Sequence, residues 1–292
     1  MMEYINTRTL RQKLKSYKRS PLSLVLFALV IVSAIVTVGI LLFLIGYIVI
    51  KGIPNIRPEL FEWNYTTLNV SLLPALINTV IMTFISILIA GPIGVFSAIY
   101  LVEYAKRGNK FVNIIRITAE TLSGIPSIVY GFFGMLFFVT ALGWGMSLLA
   151  GAFTLSIMIL PLIMRTSEEA LKSVPDSYRE GSYGLGAGKL RTVFKIVLPS
   201  AMPGILAGVI LGIGRIVGET AALIYTAGTV AEIPSGKDFL FDSTRTLSVH
   251  MYALASEGLY VDQSYATAVV LLLIVILINW FSAFIARKLT KI

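Results

Sequence analysis

The sequence predicts an all-α, polytopic membrane protein with six transmembrane helices and both termini cytoplasmic. Three observations carry that prediction. Apolar residues make up 57% of the 292 positions and charged residues only 13%. A soluble domain has roughly 25% charged residues, so this chain cannot clothe a core with a solvated surface. Uncharged stretches of bilayer-crossing length, about 20 residues, recur along the sequence. The basic residues that separate them are distributed very unequally between the two sides.

The first span is read over 24–50, because no charge occurs between Arg19 and Lys51. It is too long for the apolar part of a cleavable signal and is expected to be retained. A second span covers 75–102 and stops at Glu103. Residues 121–164 again carry no charge; one helix of that length would be about twice the bilayer core, so two spans are expected, 121–142 and 146–164. Gly143-Trp144-Gly145 is the natural turn between them. A fifth span, 203–230, contains Arg215 and Glu219, and a sixth, 265–286, is closed by Arg287 and Lys288. The chain then reads as a single membrane domain with a long segment at 165–201 and another at 231–263. The N-terminal tail from Arg8 to Arg19, the segments 103–120 and 165–201 and the C-terminus hold 19 basic residues. The opposite face holds four: Lys51, Arg57, Lys237 and Arg245. The asymmetry places 165–201 in the cytoplasm and 231–263 outside. It also explains the formal +9 charge without nucleic acid.

Several chemistries are excluded. The chain has no cysteine and a single histidine, His250, so neither thiol chemistry nor a histidine metal cluster is available. Gly184-Leu-Gly-Ala-Gly-Lys189 lacks the spacing and the Ser/Thr of a phosphate-binding loop, and no H-E-x-x-H or G-x-S-x-G stretch occurs. Energy for active transport would have to come from another chain or from an ion gradient. His250 and the aromatics Tyr252, Tyr260 and Tyr265 read as interfacial residues.

Three segments stand out. In 165–201, Ser173, Pro175 and Asp176 suggest a helix start. There follow Glu180-Gly181-Ser182, then Gly186, then Ile196-x-Leu198-Pro199. A short helix with a small-residue face can seat in a partner's groove, and Gly186 lets the backbone turn away. In the fifth span, Gly204, Gly208 and Gly212 form one stripe, and Gly214 with Gly218 form a second small pair; such stripes let helices pack closely in lipid. Arg215 and Glu219 are costly in mid-span. Four residues apart, they are expected on one helical face, either as a structural ion pair or, with Thr220, lining a path for an anion. In the third span, Pro126 is expected to bend the helix and let Ser127 and Tyr130 reach a cavity, unless it marks only a kinked packing helix.

The first of these segments resembles the EAA motif of bacterial ABC importer permeases, with Gly181 and Ser182 where that family usually has two alanines. Together with Ala98–Tyr104, Gly124–Gly131, Arg165–Pro175, Gly214–Thr220 and Leu247–Tyr252, the chain is similar along nearly its whole length to phosphate importer permeases of the PstA type. The resemblance implies a type I ABC importer permease fold in the bacterial inner membrane. It implies ATPase coupling through Glu180, Gly181, Ser182, Gly186, Ile196, Leu198 and Pro199, and a substrate path at Arg215, Glu219, Thr220, Ser127 and Tyr130. The implied partners are a second homologous permease (PstC type), a dimer of an ABC ATPase (PstB type) that carries the ATP and Mg, and a periplasmic phosphate-binding protein (PstS type). No cofactor is expected in this chain. Sulfate or molybdate remains an alternative substrate. A gradient-driven anion carrier would leave residues 180–199 without a reason.

Overall fold

The computed structural model describes residues 21–106 and 108–290. The basic N-terminal cluster Arg8–Arg19, Arg107 and Lys291 lie outside the described residues. Among the described residues every regular element is helical. The chain divides into two units, Met1–Lys51 and Gly52–Ile292. The first unit holds α1 (Pro21–Gly52). It is apolar on every side and its large side chains are exposed from Leu22 to Tyr47, the profile of a helix solvated by lipid.

The second unit contains α2 (Leu73–Tyr104), α3 (Lys110–Ser123), α4 (Ser127–Ala141), α5 (Leu148–Ser173) and α6 (Asp176–Gly184). It continues with α7 (Lys189–Val217), α8 (Ala221–Thr226), α9 (Leu247–Glu257) and α10 (Val261–Thr290). Among the described residues five helices (α1, α2, α5, α7 and α10) are long and apolar enough to cross a membrane, and α3 with α4 adds a sixth crossing if that bent pair counts as one.

The centre is α5. Leu155, Met158, Ile159 and Ile163 are buried in one cluster with Met82 of α2, Ile216 of α7 and Leu223 of α8. Close approach is built from small residues. A Cβ on Gly94 of α2 would lie 2.9 Å from Ile163, and one on Gly204 would lie 2.6 Å from the Ala170 Cβ. The Ser86 hydroxyl of α2 donates to the Ala152 carbonyl of α5 at 3.1 Å, and Ser156 donates back to the Ser86 carbonyl at 3.3 Å. Apolar burial does not drive helices together in lipid, so such backbone proximity and hydrogen bonds supply the association. Between α4 and α5 the chain turns at Gly143 and Gly145, both at φ +67°, a conformation natural only to glycine. Ser147 then caps α5 by accepting from the Ala150 N–H.

Three expectations are corrected. The stretch 121–142 is not one helix: α3 and α4 meet at a 102° bend. Pro126, at φ −58° and ψ 141°, leaves the helical region and has no N–H to continue the ladder. The stretch 203–230 is likewise broken. Its helix begins far earlier, at Lys189, and ends at Val217. Gly218, Glu219 and Thr220 then interrupt the chain before the short α8. Finally, Ser173 does not start a helix. Its hydroxyl donates to the Ala170 carbonyl at 2.8 Å as α5 ends, and α6 starts beyond Pro175.

The segment 231–263 is also more ordered than an interfacial loop. The Leu247 N–H of α9 donates to Thr79 Oγ1 of α2 at 2.8 Å, and Ser248 Oγ donates to the Glu219 carbonyl. His250, expected at an interface, is fully buried. It meets the Tyr65 ring edge-on at 6.1 Å, and the Arg245 guanidinium lies 4.6 Å from the centre of the same ring. Burial first, and the Arg245 charge second, push the His250 pKa down to about 3. The helical face of α9, and not the membrane interface, decides where this imidazole sits.

Candidate functional site

Two clusters of the expected residues can be built from the fold. The first lies where the two broken spans meet. A Cβ on Gly131 of α4 would stand 2.7 Å from the Ala222 Cα of α8, so the backbones touch and only glycine fits there. Phe132 and Tyr225 stack across the same contact at 4.8 Å. This apposition brings Ser127 and Tyr130 beside the break at 218–220.

Each residue there has a distinct environment. Tyr130 is buried, and its hydroxyl donates to the Leu122 carbonyl at 2.7 Å. That is the carbonyl four residues before Pro126, the one a continuous helix would have bonded. Tyr130 therefore props the bend, as the kinked-packing alternative of the sequence reading expects. Ser127, half-buried, opens α4. Glu219 is 8% exposed, and its Oε1 accepts the Ala222 N–H at 3.1 Å. The carboxylate thus caps α8, whose positive end favours an anion. Thr220 is half-buried at the N-cap of α8, with no side-chain cap bond.

Arg215 sits half-buried in the last turn of α7. Among the described residues it has no hydrogen bond and no ion pair, although the Tyr130 phenol lies within reach of its charge. The expected Arg215–Glu219 pair on one helical face is absent. The helix ends between them, and the break turns Glu219 to its own N–H partner. The two glycine rows of α7 also part company. Gly204 and Gly208 press on Ala170 and Thr166 of α5, whereas a Cβ on Gly214 would meet nothing within 4 Å. The face beside Arg215 is open.

The second cluster is the segment with the EAA-like motif. Glu180 and Gly181 lie exposed on α6, and Gly181 has open space around it. Ser182 does not share that face. It is buried, with its hydroxyl 2.8 Å from Thr192 Oγ1 at the start of α7. Gly186, at φ +80°, reverses the chain between them, and its N–H donates to the Tyr183 carbonyl. Leu185 beside it is 91% exposed. Ile196 and Leu198 are half-buried and Pro199 exposed along α7. Ile196, Ser182, Leu185 and Gly186 line one groove of about 280 Å³.

Sequence reasoning missed what holds this hairpin in place. The Arg179 guanidinium donates twice to Glu103 Oε1, at 3.1 and 2.8 Å, and also to the Val174 and Leu171 carbonyls and to Asp176 Oδ1. One side chain thereby ties α6 to the ends of α2 and α5. The only available signal was Glu103 itself, the first charge after the second span.

Comparison with known proteins follows the same outline. Residues 90–291 match the family described as the binding-protein-dependent transport system inner membrane component. The chain belongs to that family. A probable ABC transporter permease protein of Bacillus subtilis, YqgI, is 34% identical over 88% of this chain and 94% of its own length. The phosphate transport system permease protein PstA 2 of Mycobacterium bovis is 39% identical over 71% of each chain. The resemblance drawn from the motifs is therefore met by relatives of that name. Among solved structures, the fold of this family member is similar to a chain of a bacterial alginate ABC transporter, with TM-score 0.64 and 15% identity over 94% of this chain and 98% of that one. It is also similar to a chain of the MetNI methionine ABC transporter, with TM-score 0.58 and 22% identity over 75% and 94%. This inner-membrane component is thus an ABC importer permease by family and by fold.

Proposed function

We propose that this chain is the permease subunit of an ATP-driven importer that moves inorganic phosphate across the bacterial inner membrane. The observation that carries the substrate is Arg215. A half-buried guanidinium with no partner, at the end of a membrane helix, is unfavourable unless an anion visits it. A planar fork of donors suits a phosphate oxyanion. Glu219 presents Oε2 beyond its capping bond, ready to accept from the proton that phosphate keeps near neutral pH. Thr220 and Ser127 add hydroxyls to the same path, and Tyr130 holds the bend that frames it. Relatives named as phosphate permeases support this choice over sulfate or molybdate.

The remaining parts follow from the importer reading. Both termini lie in the cytoplasm, and α6 with the start of α7 docks on an ATPase dimer (PstB type) that holds the ATP and Mg. A second permease (PstC type) completes the path, and a periplasmic phosphate-binding protein (PstS type) delivers substrate to the 231–263 side. Exposed Glu180, Gly181 and Leu185 form the docking face, while Ser182 and Gly186 shape it. Labelled phosphate uptake is the test, measured in a strain lacking this gene with and without complementation. Uptake should return with the gene, and excess sulfate or molybdate should not compete. A Gly181→Leu variant should insert normally but co-purify with less ATPase. Restored uptake of sulfate or molybdate only, or uptake without any ATPase partner, would sink the reading.

A further inference from the structure

A cavity of about 690 Å³ in the second unit lies away from the Arg215 break, between the end of α2, the start of α3 and the α5–α6 junction. That volume falls in the range of small-molecule sites. Among the described residues its wall carries Lys106, Lys110, Arg116, Lys172 and Arg179 against only Glu103 and Asp176. Three of these cations already have partners. Arg179 meets both Glu103 and Asp176, and Arg116 and Lys172 share Glu168 at 2.7 and 2.6 Å. Lys106 and Lys110 are left, and among the described residues neither has an ion pair. Both are exposed at the mouth.

The backbone adds to this imbalance. The 14-residue α3 begins at Lys110, and Asn109 caps it by accepting from the Phe111 N–H, so the positive end of the helix opens on the same cavity. Asn113, one turn on, contributes an amide, and buried Leu101 and Val112 form an apolar patch of the wall. Two unpaired ammonium groups, a helix N-terminus and an amide above an apolar wall suit a phosphoryl anion joined to a small apolar body.

We propose that this cavity binds a phosphoryl-bearing ligand, held by Lys106 and Lys110 and seated on the Arg179–Glu103 pair. Its source is either a phospholipid headgroup or a soluble phosphate ester. The inference does not depend on the transported substrate. Because Arg179 is also the tie between α2 and α6, the ligand would touch the joint that positions the docking hairpin.

The test uses the full-length protein in detergent, in an Arg215→Gln background so that the proposed transport path does not contribute. Native mass spectrometry measures retention of phosphatidylglycerol against phosphatidylcholine, and calorimetry measures binding of glycerol 3-phosphate and inorganic phosphate. The Lys106→Gln/Lys110→Gln pair should lose at least about tenfold in affinity for one probe set, since each lysine contributes a favourable charge at a surface of this kind. Asn113→Asp, which places a carboxylate at the mouth, should weaken the same probe without touching a lysine. Loss of phosphatidylglycerol alone assigns the site to a lipid headgroup; loss of the soluble probes assigns it to a phosphate ester. If both variants bind every probe within twofold of the parent, the proposal is overturned.

Discussion

Arg179 donates five hydrogen bonds to two carboxylates and two carbonyls at the joint between α2, α5 and α6. Arg215, one span away in sequence, donates none among the described residues, though it too is drawn partly inside. The contrast separates two uses of the same side chain. At the joint every donor is fixed, and the cation behaves as a structural rivet. At the break between α7 and α8 the local carboxylate is turned aside to cap α8 and the glycine face next to the guanidinium is unfilled, which is why the proposed anion path is placed there.

The comparison can be broken from either side. The largest effect should come from Arg179→Ala, which strands Glu103 at 5% side-chain exposure. Breaking a buried pair costs about 3–5 kcal/mol. The thermal midpoint of the purified protein should fall well below the wild type, and Glu103→Gln on top of Arg179→Ala should recover part of the loss. If the single variant melts normally, Arg179 is no rivet.

Arg215→Gln should do the opposite. Its stability and membrane insertion should match the parent, while phosphate uptake is lost, because the forked donor proposed to hold the oxyanion is gone. Arg215→Lys should restore only a fraction, because the fork is lost. A destabilised Arg215→Gln that fails to assemble would erase the contrast between the two arginines.

His250 supplies a third kind of interior cation site, one kept neutral. Its folded pKa, about 3, lies below the ordinary value near 6.5, so the folded state binds fewer protons and stability falls on acidification from about pH 6.5 towards 3. Between pH 7 and 5 this one group should cost about 2 kcal/mol. A melting profile against pH should therefore be flatter for His250→Gln than for the parent. Identical slopes would show that the imidazole is not shielded as described.

The smallest effect is expected at Tyr130→Phe, which removes one of the hydrogen bonds to the Leu122 carbonyl, worth about 1 kcal/mol. The variant should melt slightly earlier and keep phosphate uptake within about threefold. A loss of uptake as deep as that of Arg215→Gln would instead put the hydroxyl on the substrate path.

The sequence by itself determined the all-helical membrane class, the approximate places of the long apolar helices, the glycine turn at 143–145 and the left-handed corner at Gly186. These depend on composition, on uncharged length and on local backbone chemistry, all of which are carried by neighbouring residues. It also placed Arg215, Glu219 and the Glu180–Gly186 stretch among the residues to watch. What it misjudged was continuity. Pro126 announced a bend in the third span, though not its 102° size. Periodic apolar residues look the same whether a helix runs on or stops, so the break at 218–220 and the parting of Arg215 from Glu219 appeared only in the folded chain. Tertiary structure alone decided that Ser182 turns inward to Thr192, that His250 is enclosed by Tyr65 and Arg245, and that Arg179 reaches Glu103 across 76 positions. Such pairings depend on which helices become neighbours, and in a membrane protein that is set by close backbone contacts and interhelical hydrogen bonds that no single stretch of sequence contains.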